Sequence, residues 1–345
     1  MKILSVIIPC YNSQDYMRRC INSLLAGNET VAKVIGEAVE IIIVNDGSVD
    51  GTADIAQEYH RKHPKIVKVV NQENKGHGGA INAGLQEATG VFVKVVDSDD
   101  WVDAAAYKQV LKTLINFKAD ARPDVVITNY VYEKTGKRRK TTVSYGNVLP
   151  QGRLFTWKET RHFRVGQYLL MHALIYRRDI LLNCGLRLPE HTFYVDNIYA
   201  YTPLACTQTL YYLNVNLYRY YIGREGQSVQ EATMMRRIGQ QLAVNRLMVE
   251  AVDLRAVPCD KKRRYLAHYL EIVTAISSLL LIKEGSRISQ MKKDELWRFV
   301  KKKDAMLYDI MRNGLLGRIL HLRGITGRYA AILVYKISRM IVGFS

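Results

Sequence analysis

Apolar positions in the first hundred residues fall in short β-branched runs separated by amphipathic stretches. ILSVIIP (3–9), VEIIIVND (39–46), VKVVNQ (67–72) and VFVKVVD (91–97) are continuous rather than alternating. Such runs fit strands buried on both faces. Between them, QDYMRRCINSLLA (14–26) sets Tyr16, Cys20, Leu24 and Leu25 on one helical face, and Gly27 follows. Gly47 turns the chain into a second helix predicted at 52–62, with Ser48 or Asp50 as its cap. GHGGAINAGLQEATG (76–90) reads as a Gly-rich turn feeding a short helix. This β-α-β-α-β-α-β order predicts an α/β fold with a doubly wound, mostly parallel sheet. Ligands of such sheets bind outside the carboxyl ends of the strands. Three polar clusters fall there: Pro9 to Asn12, Asn45 to Ser48, and Asp97 to Asp100.

Beyond Trp101 the pattern predicts a helix at about 103–117, a strand at 124–132 and a loop or hairpin turn at 133–142. Residues 169–182 and 186–222 mix short helices with Tyr-rich strands, and from about 231 the pattern is helical. The segment 265–282 is apolar on most faces and reads as a packed core helix rather than a membrane span. Neither a transmembrane helix nor a signal segment is predicted.

Composition adds limits. The chain has 345 residues, 48% apolar, with only 7 prolines, so it can bury a core in one large or two ordinary domains. Cysteines at 10, 20, 184, 206 and 259 show no paired spacing, which argues for a reducing compartment rather than a disulfide framework. The net charge of +18 is uneven. Residues 1–130 hold 14 basic and 16 acidic side chains, and residues 131–345 hold 36 and 16. The whole basic excess lies in the second part, which suggests an anionic partner there.

KVVDSDDW (94–101) concentrates Asp97, Asp99 and Asp100 at a predicted strand end. Neighbouring carboxylates there favour a cation beside them. A hard divalent ion commonly takes one or two carboxylates plus substrate phosphates. The competing reading is a turn that caps the helix near 103.

Four segments, SVIIPCYNSQDYMRRCINSLL, EIIIVNDGSVDGTADIA, NKGHGGAINAGLQEATG and VKVVDSDDW, resemble family 2 glycosyltransferases with a GT-A fold, in the family's order. The resemblance is strongest over residues 3–103 and traceable to about 228. It implies a catalytic domain over 1–228, with a nucleotide-binding half (1–103) and an acceptor half (104–228), then a helical basic region over 229–345. It implies that Pro9, Tyr11 and Asn12 start the nucleotide pocket, with Tyr11 at the base, and that Asp46 meets the uracil ring. The family often has Asp where this chain has Asn45. The loop from Asn74 to Asn82 would flank the donor. Ile81 stands where many relatives carry Arg, leaving Lys75 or His77 as substitutes. Asp97 would meet the ribose, Asp97 and Asp99 would hold Mn²⁺ or Mg²⁺, and Asp100 would serve local structure. In HTFYVDNIYAYTPL (191–204), Asp196 matches the family's catalytic Asp, while Val195 replaces a Glu. Asp196 would take the acceptor proton. His191 is a loop residue that could assist. In LYRYYIGREGQSVQ (217–230), Arg224 or Arg219 could meet the diphosphate.

The expected protein is therefore a cytosolic bacterial-type enzyme that moves a sugar from a UDP-sugar to an acceptor hydroxyl with inversion. The acceptor would be a glycan, lipid-linked or protein-linked. Rivals are a nucleotidyltransferase, which would show a Gly-rich basic fingerprint in place of PCYNSQ, and a non-catalytic sugar-nucleotide-binding scaffold. The basic tail, with AAILVYKISRMIVGF at 330–344, reads as a helical pair packing on the chain, as a homo-oligomer contact, or as a segment lying on an anionic membrane. Nucleic-acid binding ranks last, since no reading motif is present.

Overall fold

The computed structural model describes residues 2–35, 38–134, 136, 140–223, 227, 230–322, 329 and 332–333. Two compact units divide them. Unit 1 takes residues 1–161 and 169–222, and unit 2 takes 162–168 and 223–345. The division falls at the end of a strand, six residues before the 228/229 boundary expected from the sequence. Residues 162–168 belong with the helices because Phe163 packs on Tyr265 at 4.6 Å and Tyr168 on Tyr269 at 4.9 Å.

In unit 1 the order begins β1 (Leu4–Cys10), α1 (Met17–Ile35), β2 (Val39–Asp46), α2 (Thr52–Lys62), β3 (Val67–Gln72), α3 (Gly76–Glu87), β4 (Phe92–Val95). β1 and β2 are buried at every residue, as their unbroken apolar runs require. There follow β5 (Trp101–Val102), α4 (Ala104–Asn116), β6 (Val125–Lys134), β7 (Thr141–Val143), β8 (Leu154–Thr156), β9 (Leu174–Arg177), α5 (Arg178–Asn183), α6 (Asp196–Cys206) and β10 (Thr209–Ile222). One sheet runs β3-β2-β1-β4-β9-β6-β10-β5, with β7 on β6 and β8 on β10. β3, β2, β1 and β4 are parallel, and so are β6 and β10. β9 enters antiparallel between β4 and β6. It thereby joins the two parallel groups and lines up their carboxyl ends.

Several elements differ in detail from expectation. α1 starts at Met17, after Ser13 accepts the Tyr16 and Met17 amides, and buries Cys20, Leu24 and Leu25. Asp50, not Ser48, meets the start of α2, where its Oδ1 accepts the Thr52 amide at 3.0 Å. The glycines of 76–84 lie inside α3 rather than in a turn before it. They allow close packing: a Cβ on Gly78 would stand 2.5 Å from the Pro189 carbonyl. The cap of α4 is Asp103, whose Oδ1 accepts the Ala106 amide at 3.0 Å, so the 97–100 carboxylates are not needed there. Of the basic stretch at 133–142, residues 135 and 137–139 lie outside the described residues; the strands on either side, β6 and β7, pair antiparallel. The Tyr-rich stretch ends in one long strand, β10, with register shifts near Asn216.

Unit 2 is helical: α7 (Glu231–Arg236), α8 (Ile238–Ala251), α9 (Asp260–Glu284), α10 (Arg287–Lys303), α11 (Ala305–Asn313) and α12 (Leu315–Leu320). Leu242, Leu281 and Leu296 pack together in its core. Polar side chains inside are paired: Asn245 with Thr274 at 3.1 Å, and Trp297 Nε1 with Ser278 at 3.0 Å. α9 is long and apolar enough to cross a membrane, yet 78% of its apolar window is buried, as in a core helix. Of the segment 330–344, only residues 332 and 333 are among those described.

Candidate active site

Each parallel strand delivers one part of the site at its carboxyl end. Near the end of β1 Pro9 is buried, and just after the strand Tyr11 stands 54% exposed. Asn12 takes φ +48°, a conformation its short polar side chain tolerates. Its Oδ1 accepts the Val49 amide at 3.0 Å, and its own amide donates to Ser48 Oγ at 3.1 Å. β2 ends in buried Asp46, whose Oδ1 accepts Gln72 Nε2 at 2.6 Å and the Lys75 amide at 2.8 Å. Asn74 donates its amide to the Asp46 carbonyl at 2.9 Å. Gly47 (φ +70°) lets these loops touch, since a Cβ there would lie 2.7 Å from Asn74 N. Asn82 is turned to a different task. It clasps Leu188 through Nδ2 to the carbonyl at 2.8 Å and Oδ1 from the amide at 3.2 Å.

After β4 the chain makes a tight turn, with the Asp100 amide donating to the Asp97 carbonyl at 3.0 Å. Asp97 Oδ1 meets His77 Nε2 at 2.8 Å, where His77 lies in the first turn of α3. Asp100 is only 1% exposed. Tyr218 of β10 donates its hydroxyl to Asp100 Oδ2 at 2.6 Å, and the Tyr221 amide donates to Asp100 Oδ1 at 2.7 Å. The same Tyr218 oxygen accepts the Asp97 amide at 3.2 Å. Asp99 sits half-buried between them. Ser98 joins the turn to the β1 loop through Ser13 Oγ at 2.8 Å.

Beneath the two acids lies His172. Its ring stacks on Tyr220 at 4.4 Å and meets the Tyr218 ring edge-on at 4.6 Å. Its Nε2 stands 3.9 Å from Asp97 Oδ2 and 4.0 Å from Asp100 Oδ2. Neither ring nitrogen has a hydrogen-bond partner among the described residues, although the side chain is buried. An unsatisfied buried polar atom costs about 1–3 kcal/mol, so something else belongs against this ring. Ligand atoms of Asp97, Asp100 and His172 all lie within 4.8 Å of one another. Two carboxylates and an imidazole fit a divalent transition metal, and suit Mn²⁺ better than Mg²⁺, which keeps to oxygen. The expected pair was Asp97 with Asp99. The group that shares a ligand distance here brings in Asp100 and His172.

The charges interlock. Burial opposes ionisation of both His77 and Asp97, but their mutual attraction outweighs it: His77 lies above its ordinary pKa and Asp97 below. Burial, with Asp99 and Asp97 adding like charge, holds Asp100 well above the carboxylate range. Burial takes His172 down to about 4, against the pull of Asp97, so the imidazole is neutral and free to ligate. Asp196 is the first residue of α6, reached through two left-handed residues, His191 (φ 49°) and Tyr194 (φ 67°). Burial raises its pKa to about 6, with His77 lowering it and Asp97 raising it. His77 thus interacts with both Asp97 and Asp196. Val195, where a Glu was expected, is 1% exposed and part of the core.

The basic candidates separate. Arg219 is held by Asp103 Oδ2 at 2.8 Å and Glu133 Oε1 at 3.2 Å, which gives it a structural pairing. Arg224 lies outside the described residues. Lys75 Nζ is 3.7 Å from Glu190. The His191 backbone amide donates to the Lys75 carbonyl at 2.8 Å, tying the loop before α6 to the start of α3. Sequence reasoning missed His172, Tyr218 and Tyr220. The Tyr-rich run of β10 was the available signal, but period-2 alternation on a strand does not say which face meets a ligand.

A parallel-then-mixed sheet with carboxylates and a histidine at the strand ends defines a GT-A sugar-nucleotide fold. The sequence profile described as "Glycosyl transferase family 2" matches residues 5–179, and the chain belongs to that family. EpsH of Bacillus subtilis (strain 168) is 31% identical over 238 residues, covering 64% of this chain and 60% of EpsH. The chain therefore spans about three fifths of that relative's length. Among solved structures, S. aureus TarS 1–349 in complex with UDP-GlcNAc superposes with a TM-score of 0.69 at 22% identity, covering 99% of this chain and 91% of TarS. The mannosyltransferase PcManGT from Pyrobaculum calidifontis, in complex with GDP-Man and Mn²⁺, superposes at 0.53 with 15% identity over 96% of this chain and 86% of its own. At these identities the likeness is one of fold.

Proposed function

We propose that this chain transfers a sugar from a UDP-sugar to an acceptor hydroxyl with inversion, assisted by Mn²⁺, in the building of a cell-surface glycan. The observation that carries the proposal is the convergence of Asp97, Asp100 and His172 on one point, with His77 linking Asp97 electrostatically to Asp196. The UDP-GlcNAc seen in TarS supports a UDP-sugar as donor.

Asp97, Asp100 and His172 would hold the metal, with Asp99 in the same turn as a further candidate ligand. Bound there, the ion supplies positive charge for the leaving diphosphate. Tyr11 and Asp46 border the pocket for the base. Asp196 accepts the proton of the acceptor hydroxyl as that oxygen bonds to the anomeric carbon and the bond to the diphosphate breaks. A carboxylate with a pKa near 6 is mostly ionised at neutral pH and still basic enough for this work. The acceptor is a glycan carried on lipid or protein. The basic second part of the chain would hold the enzyme to an anionic inner membrane face.

Asp196→Asn tests the reading. Loss of the base should lower the transfer rate about 10²–10⁴-fold while UDP binding is kept. Transfer at the wild-type rate would remove Asp196 from the role.

A further inference from the structure

β9 pairs with β4 through only two residues, Phe92 with Arg177 and Val93 with Tyr176. The next residue of β4 is Lys94. Its side chain is 1% exposed, an uncommon fate for a lysine. The Nζ donates to the His172 carbonyl at 2.8 Å and to the Leu174 carbonyl at 3.3 Å. The carbonyl between them, Ala173, accepts Thr128 Oγ1 at 3.4 Å. Three consecutive carbonyls are therefore held by side chains at the place where the β4–β9 ladder stops. The Lys94 ammonium also lies 5.1 Å from the centroid of the Tyr218 ring, the tyrosine that bonds both Asp97 and Asp100.

We propose that Lys94 is a positioning residue: its ammonium replaces the missing ladder bonds and sets the His172 ring against the Asp97–Asp100 pair. A backbone that has left its sheet needs donors for its carbonyls. An apolar residue at 94 would pack the same space and leave two carbonyls unmet. A lysine carries the donors and reaches both. Burial takes its pKa down to about 7 against the pull of Asp97, and two carbonyl dipoles and the face of an aromatic ring favour the charged form. The segment that carries His172 is thus held by Lys94 as well as by its own short turn, in which the Ala173 amide donates to the Leu170 carbonyl at 2.9 Å.

The inference rests on the metal reading of the site, and its test separates the two. Lys94→Met keeps the length and apolar stem and removes the donors. Three quantities are measured on the full chain: Mn²⁺ affinity by electron paramagnetic resonance, UDP affinity in EDTA by calorimetry, and amide hydrogen exchange over residues 171–175. Expected are a tenfold or larger loss of Mn²⁺ affinity, unchanged UDP affinity in EDTA, and faster exchange confined to 171–175. Lys94→Gln, which keeps one donor, should lose less. Wild-type Mn²⁺ affinity and exchange in Lys94→Met would overturn the proposal. A parallel fall in UDP affinity in EDTA would also overturn it, because that result marks a general structural role. If the wild-type chain binds no Mn²⁺, the metal reading fails by itself. The exchange of 171–175 in Lys94→Met, unchanged or raised, then decides the positioning claim.

Discussion

Asp196 begins a helix, is partly buried, and has its pKa raised to about 6. If it is the base, the transfer rate at low donor concentration must rise through pH 6 as Asp196 loses its proton. His77 lowers that pKa through its positive charge. His77→Gln keeps a hydrogen bond to Asp97 but loses the charge. The acid limb of kcat/KM should then move to higher pH. An unchanged limb would separate His77 from Asp196. At this scale the sequence was informative about acids and silent about their partners. Asp97 and Asp196 could be singled out because they stand in segments that resemble short family motifs. His172 was not, because a histidine in LLMHALIY looks like any buried residue until the fold stacks it on Tyr220. Asp100 was set aside as local structure. The fold buries it and bonds both its oxygens to β10, and its carboxylate also lies within ligand distance of Asp97 and His172.

At the scale of elements, apolar runs located the four parallel strands to within a residue or two; β1 and β2 are buried throughout, while β3 at the sheet edge is only partly buried and carries Lys68, Asn71 and Gln72. The Gly-rich stretch misled. Glycine usually marks turns, but here four glycines lie in α3 so that the helix can approach the 188–191 loop and β1. The start of α4 was read to within a residue, but its cap was not singled out. Asp103 follows three other acids, and nothing in the sequence separates it from them. Its side chain both caps α4 and holds Arg219. Asp103→Ala should therefore lower unfolding stability by about 1–2 kcal/mol, read as a fall in denaturant midpoint at constant slope. A change under a few tenths would mean that the cap contributes little to folding. The variant should leave Mn²⁺ affinity intact, since Asp103 lies outside the ligand group.

At the scale of the molecule, the charge count separates the chain into a slightly acidic first part and a strongly basic remainder. The basic remainder is compatible with an anionic surface, and binding to one is a measurable property. The full chain should sediment with vesicles containing phosphatidylglycerol at low salt and release them at high salt, because exposed charges are screened over about 3 Å at 1 M. Binding that is insensitive to salt, or absent, would contradict electrostatic attachment. The two units divide after Ile222, and helical periodicity is read from about 231. The assignment of 162–168 to the helical unit was not legible in the sequence, because it depends on Phe163 and Tyr168 meeting α9.

The central claim is metal-assisted transfer from a UDP-sugar, and UDP release tests it most directly. A panel of UDP-sugars, UDP-GlcNAc included, is incubated with the full chain in Mn²⁺ or in EDTA, and free UDP is measured. The account predicts release from at least one UDP-sugar in Mn²⁺, at least tenfold less in EDTA, and a comparable loss for His172→Gln in Mn²⁺. Equal release with and without metal, or release from none of the panel, would contradict it.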